Sequence, residues 1–436
     1  MTVNKIGDEF LVNTTTESLQ EHPSVTGLSD GGFVAMWGDL SRTGEDTSNN
    51  AVRGQAYNAD GTKRSGEFLV NTTTESFQGD VSVANLSDGG FVATWEDESE
   101  TGEDTTSGAI RGQAYNADGM ARGDEFLVNT ATELGQRNPS VTGLSDGGFI
   151  ATWTDRSRTG EDISSEAVRG QTYNADGTTR GNEFLVNTRT GGSQEEPSVT
   201  ELLDGGFVVV WEDLSEIRGQ AYDADGTARG DEFQVNTTTL FLQDNPSVTG
   251  LSDGGFVAIW EDSSENGDNT KGDTIRGQVY NADGTARGVE FLVKTTTESS
   301  QTNPSVTGLS DGGFVATWED RSENRSLGEI RGQAFNADGK ARGDDFQVNT
   351  TTLYSQENPS VTGLSNGGFV AIWQDRSQTG GDPDDTAIRA QVFDSEATDP
   401  TNQAPVASDD TATTTSDEAV AIDVLANDSD ALSIQS

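Results

Sequence analysis

An all-β seven-bladed β-propeller, each blade a four-stranded antiparallel sheet, is the fold class that this sequence of 436 residues predicts. Three observations predict it. Seven tryptophans, Trp37, Trp95, Trp153, Trp211, Trp260, Trp318 and Trp373, stand 58, 58, 58, 49, 58 and 55 residues apart, and periods of that size mark an array of one supersecondary unit. Each unit holds four short runs rich in β-branched and aromatic residues, and no stretch shows a sustained helical period. The runs are also offset by one strand along the chain, as ring closure by the N-terminus requires.

The unit is clearest over residues 139–196. Its runs are PSVTGL, GGFIATW, AVRGQTYN and EFLVNT, here named strands A to D. Ser145-Asp146-Gly147-Gly148 links A to B, and Asp-Gly between apolar runs is a strong hairpin signal. Asn174-Ala175-Asp176-Gly177 links C to D with the same turn chemistry. One such sheet cannot bury both of its faces, so it stacks on neighbours. Strand D first occurs before any A strand, in GDEFLVNTTT at residues 7–16, and none follows the seventh C strand. The N-terminal run then completes the seventh blade and removes an exposed sheet edge. Six C–D turns read Asn or Asp-Ala-Asp-Gly, whereas the seventh has become Asp394-Ser395-Glu396-Ala397, where no strand D has to follow.

Composition narrows the partners. Net charge is −48, from 74 acids and 26 bases, which argues against nucleic acid because phosphate binding needs a basic face. Residues 1–10 contain no apolar signal core, and no run approaches the roughly 18 apolar residues of a membrane span. Cysteine is absent, which excludes disulfides and thiolate chemistry. The single histidine, His22, stands where other copies carry Asp80, Asn138, Glu196, Asn245, Asn303 and Asn358, and reads as a loop residue. A buried Trp removes roughly 150–250 Å² from water, about 4–6 kcal/mol before entropy, so seven of them can anchor seven blade interfaces.

Residues 1–394 therefore read as the propeller, 395–404 as a polar linker, and 405–436 as a further piece of different character. The last piece, APVASDD followed by IDVLANDSD, resembles the start of a bacterial cadherin-like tandem-repeat domain, an immunoglobulin-like sandwich. That resemblance implies calcium ligands at Asp409, Asp410, Asp428 and Asp430. In the repeats, Asp-Gly-Gly-Phe-Val, Arg-Gly-Gln and Glu-Phe-x-Val-Asn-Thr are similar to those of large, acidic, calcium-binding surface proteins that bacteria export by type I secretion. The resemblance implies an extracellular or cell-surface location without an N-terminal signal peptide, and a monomeric propeller within a longer chain.

Loop lengths choose a functional face. From each Trp to the Arg of strand C the gaps are 16, 16, 16, 7, 16, 13 and 16 residues, so only the B–C hairpin varies, and variable loops on a rigid scaffold usually carry function. On that face each unit repeats a Trp, an Asp two residues on, the strand-C Arg and a Gln before strand A. The candidate ligand-binding sets are Trp95, Asp97, Arg111 and Gln78; Trp153, Asp155, Arg169 and Gln136; Trp211, Asp213, Arg218 and Gln194; and Trp260, Asp262, Arg276 and Gln243. As a site, each offers an indole for a sugar ring and polar groups for its hydroxyls. As scaffold, the Asp and Arg clamp the hairpin base, the Gln serves loop backbone and the Trp is interblade core. The acidic hairpins, such as residues 96–104, either coordinate calcium or only solvate. No catalytic residue stands out, because no blade shows a polar signature that the other six lack. The expectation is a non-enzymatic adhesion module that binds glycan, the alternative a carbohydrate-active hydrolase or lyase with paired carboxylates near the central axis.

Overall fold

A computed structural model describes residues 3–102, 106–239, 241–264, 272–294, 300–321, 328–382 and 386–394. Within them the chain forms seven four-stranded antiparallel sheets and no helix. In blade one, A is Gln20–Gly27, B Phe33–Asp39, C Ala51–Tyr57 and D only Phe68–Leu69. The outer strand is fuller elsewhere, as in Ala121–Leu127 of blade two. Blade seven consists of Gln356–Gly363, Phe369–Asp375 and Ala387–Asp394, completed by the N-terminal strand Asn4–Leu11. Asn4 pairs with Asp394 and Leu11 with Arg389, so the ring closes as the strand offset predicts. Residues 395–436 lie outside the described residues.

Each recurring residue type has a task in stacking the blades. Strand B is buried along its whole length, which explains its nearly continuous apolar run. Trp95 packs against Val34, Met36, Val52 and Val70 of the preceding blade. Trp37 does the same against Val370, Ile372 and Ile388 of blade seven. Phe33 stacks on Tyr57 with centroids 4.9 Å apart, while the Tyr57 hydroxyl donates to the Val12 carbonyl at 2.9 Å and ties the blade to the strand before it.

Strand A lines the axis, and its Ser and Thr carry a signal that composition hides. Val83 N–H donates to Ser24 Oγ at 3.2 Å and Asn85 N–H to Thr26 Oγ1 at 3.0 Å. The belt closes where Val25 and Gly27 donate to Ser360 and Thr362 of blade seven. A Cβ on Gly27 would lie 2.3 Å from the Gly363 carbonyl oxygen, so the close approach of neighbouring A strands needs glycine there. At the other rim the strand-D carboxylates clamp the ring: Glu67 accepts from Thr14 and Thr15, and Glu9 from Thr350 and Thr351.

In blades one and three strand A begins three residues before its proline, with a bulge after its second residue. The residue before the proline, or before Val81 in blade two, is left-handed in every blade, from φ 48° at His22 and Asp80 to 53° at Asn303. Asn fills four of these seven positions, and Asn enters that conformation more readily than most non-glycine residues.

Candidate active site at the axial mouth

The four Trp-Asp-Arg-Gln sets are interior. Trp95, Trp153, Trp211 and Trp260 are each 0 % exposed, so none offers its indole to a ligand. Asp97 accepts from Ser99 N at 3.1 Å, Ser99 Oγ at 2.8 Å, Gln78 Nε2 at 3.0 Å and the Arg111 guanidinium. Arg111 also donates to the Thr101 carbonyl at 2.7 Å and pairs with Glu125. Asp155, Arg169 and Gln136 repeat the pattern. So do Asp262, Arg276 and Gln243, with Trp260 Nε1 donating to Gln243 Oε1 at 2.9 Å. These contacts are those of the scaffold reading, a clamp on the hairpin base.

Blade four departs from it. With its hairpin cut to a two-residue turn, Arg218 pairs with Glu232 and Glu216 instead. Asp213 keeps Gln194 Nε2 at 3.1 Å and takes Arg189 at 3.0 Å, from the loop that ends blade three. Blade six, also shortened, does likewise: Lys294 pairs with Asp320, and Arg331 with Asp345. A shortened hairpin thus loses its own Arg clamp, and a cation from the preceding blade replaces it.

The acidic hairpins carry part of their charge inward. Asp46 and Asp162, both 2 % exposed, accept from Asn71 and Asn187 Nδ2 at 3.0 Å. Those side chains hold the hairpin to the next strand. Among the described residues no three His, Asp or Glu side chains are placed to hold a metal ion. Asp409, Asp410, Asp428 and Asp430 lie outside the described residues.

What does converge is the axial mouth on the face of the B–C hairpins and D–A loops. The left-handed residues His22, Asp80, Asn138, Glu196, Asn245, Asn303 and Asn358 and the residues after them enclose a cavity of about 360 Å³. Behind this ring stand residues that follow the Trp of each blade: Glu96, Thr154, Glu261, Glu319 and Gln374 are hydrogen-bonded to it, and Glu212 interacts with Glu196. The two rings interlock between blades. Glu96 accepts from Asn138 N–H and Glu261 from Asn303 N–H, both at 2.6 Å, and Asn245 Nδ2 donates to Glu261 at 2.7 Å.

Burial, with neighbouring carboxylates adding to it, raises the proton affinity of the carboxyls here. Glu212 is pushed up to about 8, first by burial and then by Asp244, Glu196, Glu195 and Glu261. Burial, partly offset by the Asn303 and Asn245 hydrogen bonds, puts Glu261 at about 7. Glu96 reaches about 7 through burial and Asp80. Glu196 and Asp244 are also raised, chiefly by burial. Interacting carboxyls in one site cannot all ionise, so some stay acids near neutrality while others become bases.

Sequence reasoning passed over this site although its signal was legible. Scaffold positions repeat, whereas the position after Trp and the one before strand A's proline vary from blade to blade. His22, read as a loop residue, stands at one of these varying positions.

No family of known proteins matches the chain, and neither does any curated protein. Solved structures do. A Dyadobacter fermentans protein of unknown function is 11 % identical with a TM-score of 0.51, over 90 % of this chain and 99 % of its own. The NanB sialidase of Streptococcus pneumoniae is 10 % identical with a TM-score of 0.49, over 90 % of this chain and 71 % of its own. An α-L-arabinanase of Penicillium chrysogenum is 13 % identical with a TM-score of 0.47, over 90 % of this chain and 99 % of its own. Such identities speak for the fold alone. The expectation of a non-enzymatic adhesion module is corrected here. The activities named among these structures are those of carbohydrate hydrolases, and they are said of those proteins.

Proposed function

We propose that the protein is a carbohydrate-active hydrolase whose site is the acidic mouth of the ring. The observation that carries this reading is the group Glu196, Glu212, Asp244 and Glu261, on blades four and five: burial raises the proton affinity of each, Asp244 adds to that of the three glutamates, and Glu196 lines the open cavity. Glycoside hydrolysis needs that division of labour. A protonated carboxyl gives its proton to the glycosidic oxygen as the bond to the anomeric carbon breaks, and an ionised one activates the attacking water or attacks that carbon itself. Glu212, the highest in proton affinity of the group, is the acid, and its ionised neighbours supply the base or nucleophile.

Charge also selects the substrate. The guanidinium groups near the mouth are engaged, Arg137 with Glu195 and Arg321 with Glu319. Among the described residues beside the lining ring, a sugar carboxylate would meet carboxylates and these paired guanidinium groups. The reading is accordingly of an uncharged glycan. Purified protein incubated with neutral and uronate-containing polysaccharides, with reducing ends measured, tests it. Release from a neutral glycan that Glu212→Gln lowers at least about 100-fold, the usual scale of acid–base assistance, supports the proposal. Release unaffected by Glu212→Gln, or no release from any glycan, refutes it.

A further inference from the structure

His22 and Asp80 lie across the mouth from the carboxyls of blades four and five, on strands A of blades one and two. Both line the cavity, and His22 Nδ1 is hydrogen-bonded to Asp80 Oδ1 between the blades. Both residues hold φ at 48°. Four other blades place Asn at this position, where an L-residue is strained and Asn least so. Histidine is a poorer choice for the backbone, and a strained residue at a cavity points to use of its side chain. Nothing in the packing asks for it either, since the His22 side chain is 49 % exposed.

We infer that His22 binds a sugar unit of the substrate through its remaining ring nitrogen, Nε2, and that Asp80 is a positioning residue that fixes the imidazole. This rests on the mouth being the glycan site. The Asp80 bond leaves Nε2 as the only ring atom still able to donate or accept a hydrogen bond. The hydrogen bond to Asp80 also raises the proton affinity of His22, with burial opposing it and Glu21 and Glu96 adding to it. A protonated ring makes Nε2 a donor, and sugar hydroxyl oxygens accept. Among so many carboxyls a protonated His22 supplies a cationic donor at the cavity that orients a hydroxyl toward the opposite wall.

The chain has one histidine, so its imidazole C–H signals in an NMR spectrum of the whole protein belong to His22 alone. The probes are neutral oligosaccharides of glucose, xylose, mannose, galactose and arabinose. The expected result is a saturable shift of those signals with one of them. His22→Asn, which installs the residue that four blades already use, is then expected to raise KM at least tenfold with kcat within about twofold and no loss of melting temperature. Asp80→Asn, equally compatible with the backbone, is expected to move the imidazole titration back toward its ordinary midpoint, about 6.5. Turnover of a glycan with no imidazole shift and an unchanged KM in His22→Asn overturns the His22 proposal and leaves the hydrolase reading standing. A shift without turnover of any glycan keeps His22 as a binding residue and removes the hydrolase. Neither shift nor turnover removes both.

Discussion

Replacing Glu261 by Gln tests whether the mouth holds protons as its geometry implies. Glu261 is 7 % exposed, and its proton affinity rises from the ordinary 4.5 to about 7. Below pH 4.5 the carboxyl is protonated in both the folded and the unfolded chain and contributes no difference. Between 4.5 and 7 the folded chain keeps a proton that the unfolded chain has lost, so stability falls as pH rises. Above 7 the loss is complete. Each tenfold gain in proton affinity corresponds to about 1.4 kcal/mol, hence about 3 kcal/mol in all. Gln preserves the shape and the Oε1 acceptor for Asn303 N–H and Asn245 Nδ2 without the charge. Guanidinium unfolding of both proteins at pH 4.5, 6 and 8 and fixed ionic strength is the assay. The variant should match the parent at pH 4.5 and exceed it by about 3 kcal/mol at pH 8. Parallel pH profiles, or a gap that widens toward acid, would refute the reasoning.

Glu196→Asn puts the commoner residue into a left-handed site at φ 51° and should gain up to about 1 kcal/mol while lowering any glycan turnover; a drop in melting temperature would count against strain there. Removal of residues 1–11 takes away the fourth strand of blade seven and the Glu9 clamp on Thr350 and Thr351. It should lower the melting temperature by about 10 °C or more, given roughly 2 °C per kcal/mol for a chain of this size, and a change of a degree or two would mean that the latch does not close the ring. Arg189→Ala strips Asp213, a carboxylate with 1 % side-chain exposure, of its cation. It should cost about 2 kcal/mol in denaturant unfolding, against no measurable change for Arg42→Ala, whose guanidinium reaches only an exposed Asn49.

The ring was legible because its signals are local and seven times repeated. Turn chemistry, four short β-branched and aromatic runs per unit and a Trp every 49 to 58 residues agree with one another, and the missing seventh strand D identifies the latch that Asn4–Leu11 provides. The bulge that starts strand A at Gln20 was not, since the residues around His22 have no strand propensity of their own and are held by pairing with strand B.

Whether a repeated polar set is site or scaffold was undecidable from repetition, because selection for packing and for binding repeats a residue equally well. Burial decides it. Asp97 and Arg111 meet each other, Gln78 and Glu125 inside the blade, and no solvent-facing partner is left for a ligand. The mouth shows the converse. Glu196, Glu212, Asp244 and Glu261 belong to different strands of blades four and five, and along the chain each is one acid among 74, with nothing to mark them as a group. Only ring closure sets their carboxyls side by side. Proton affinity follows from burial and from the distance between charges, and both come into being when the blades pack around the axis.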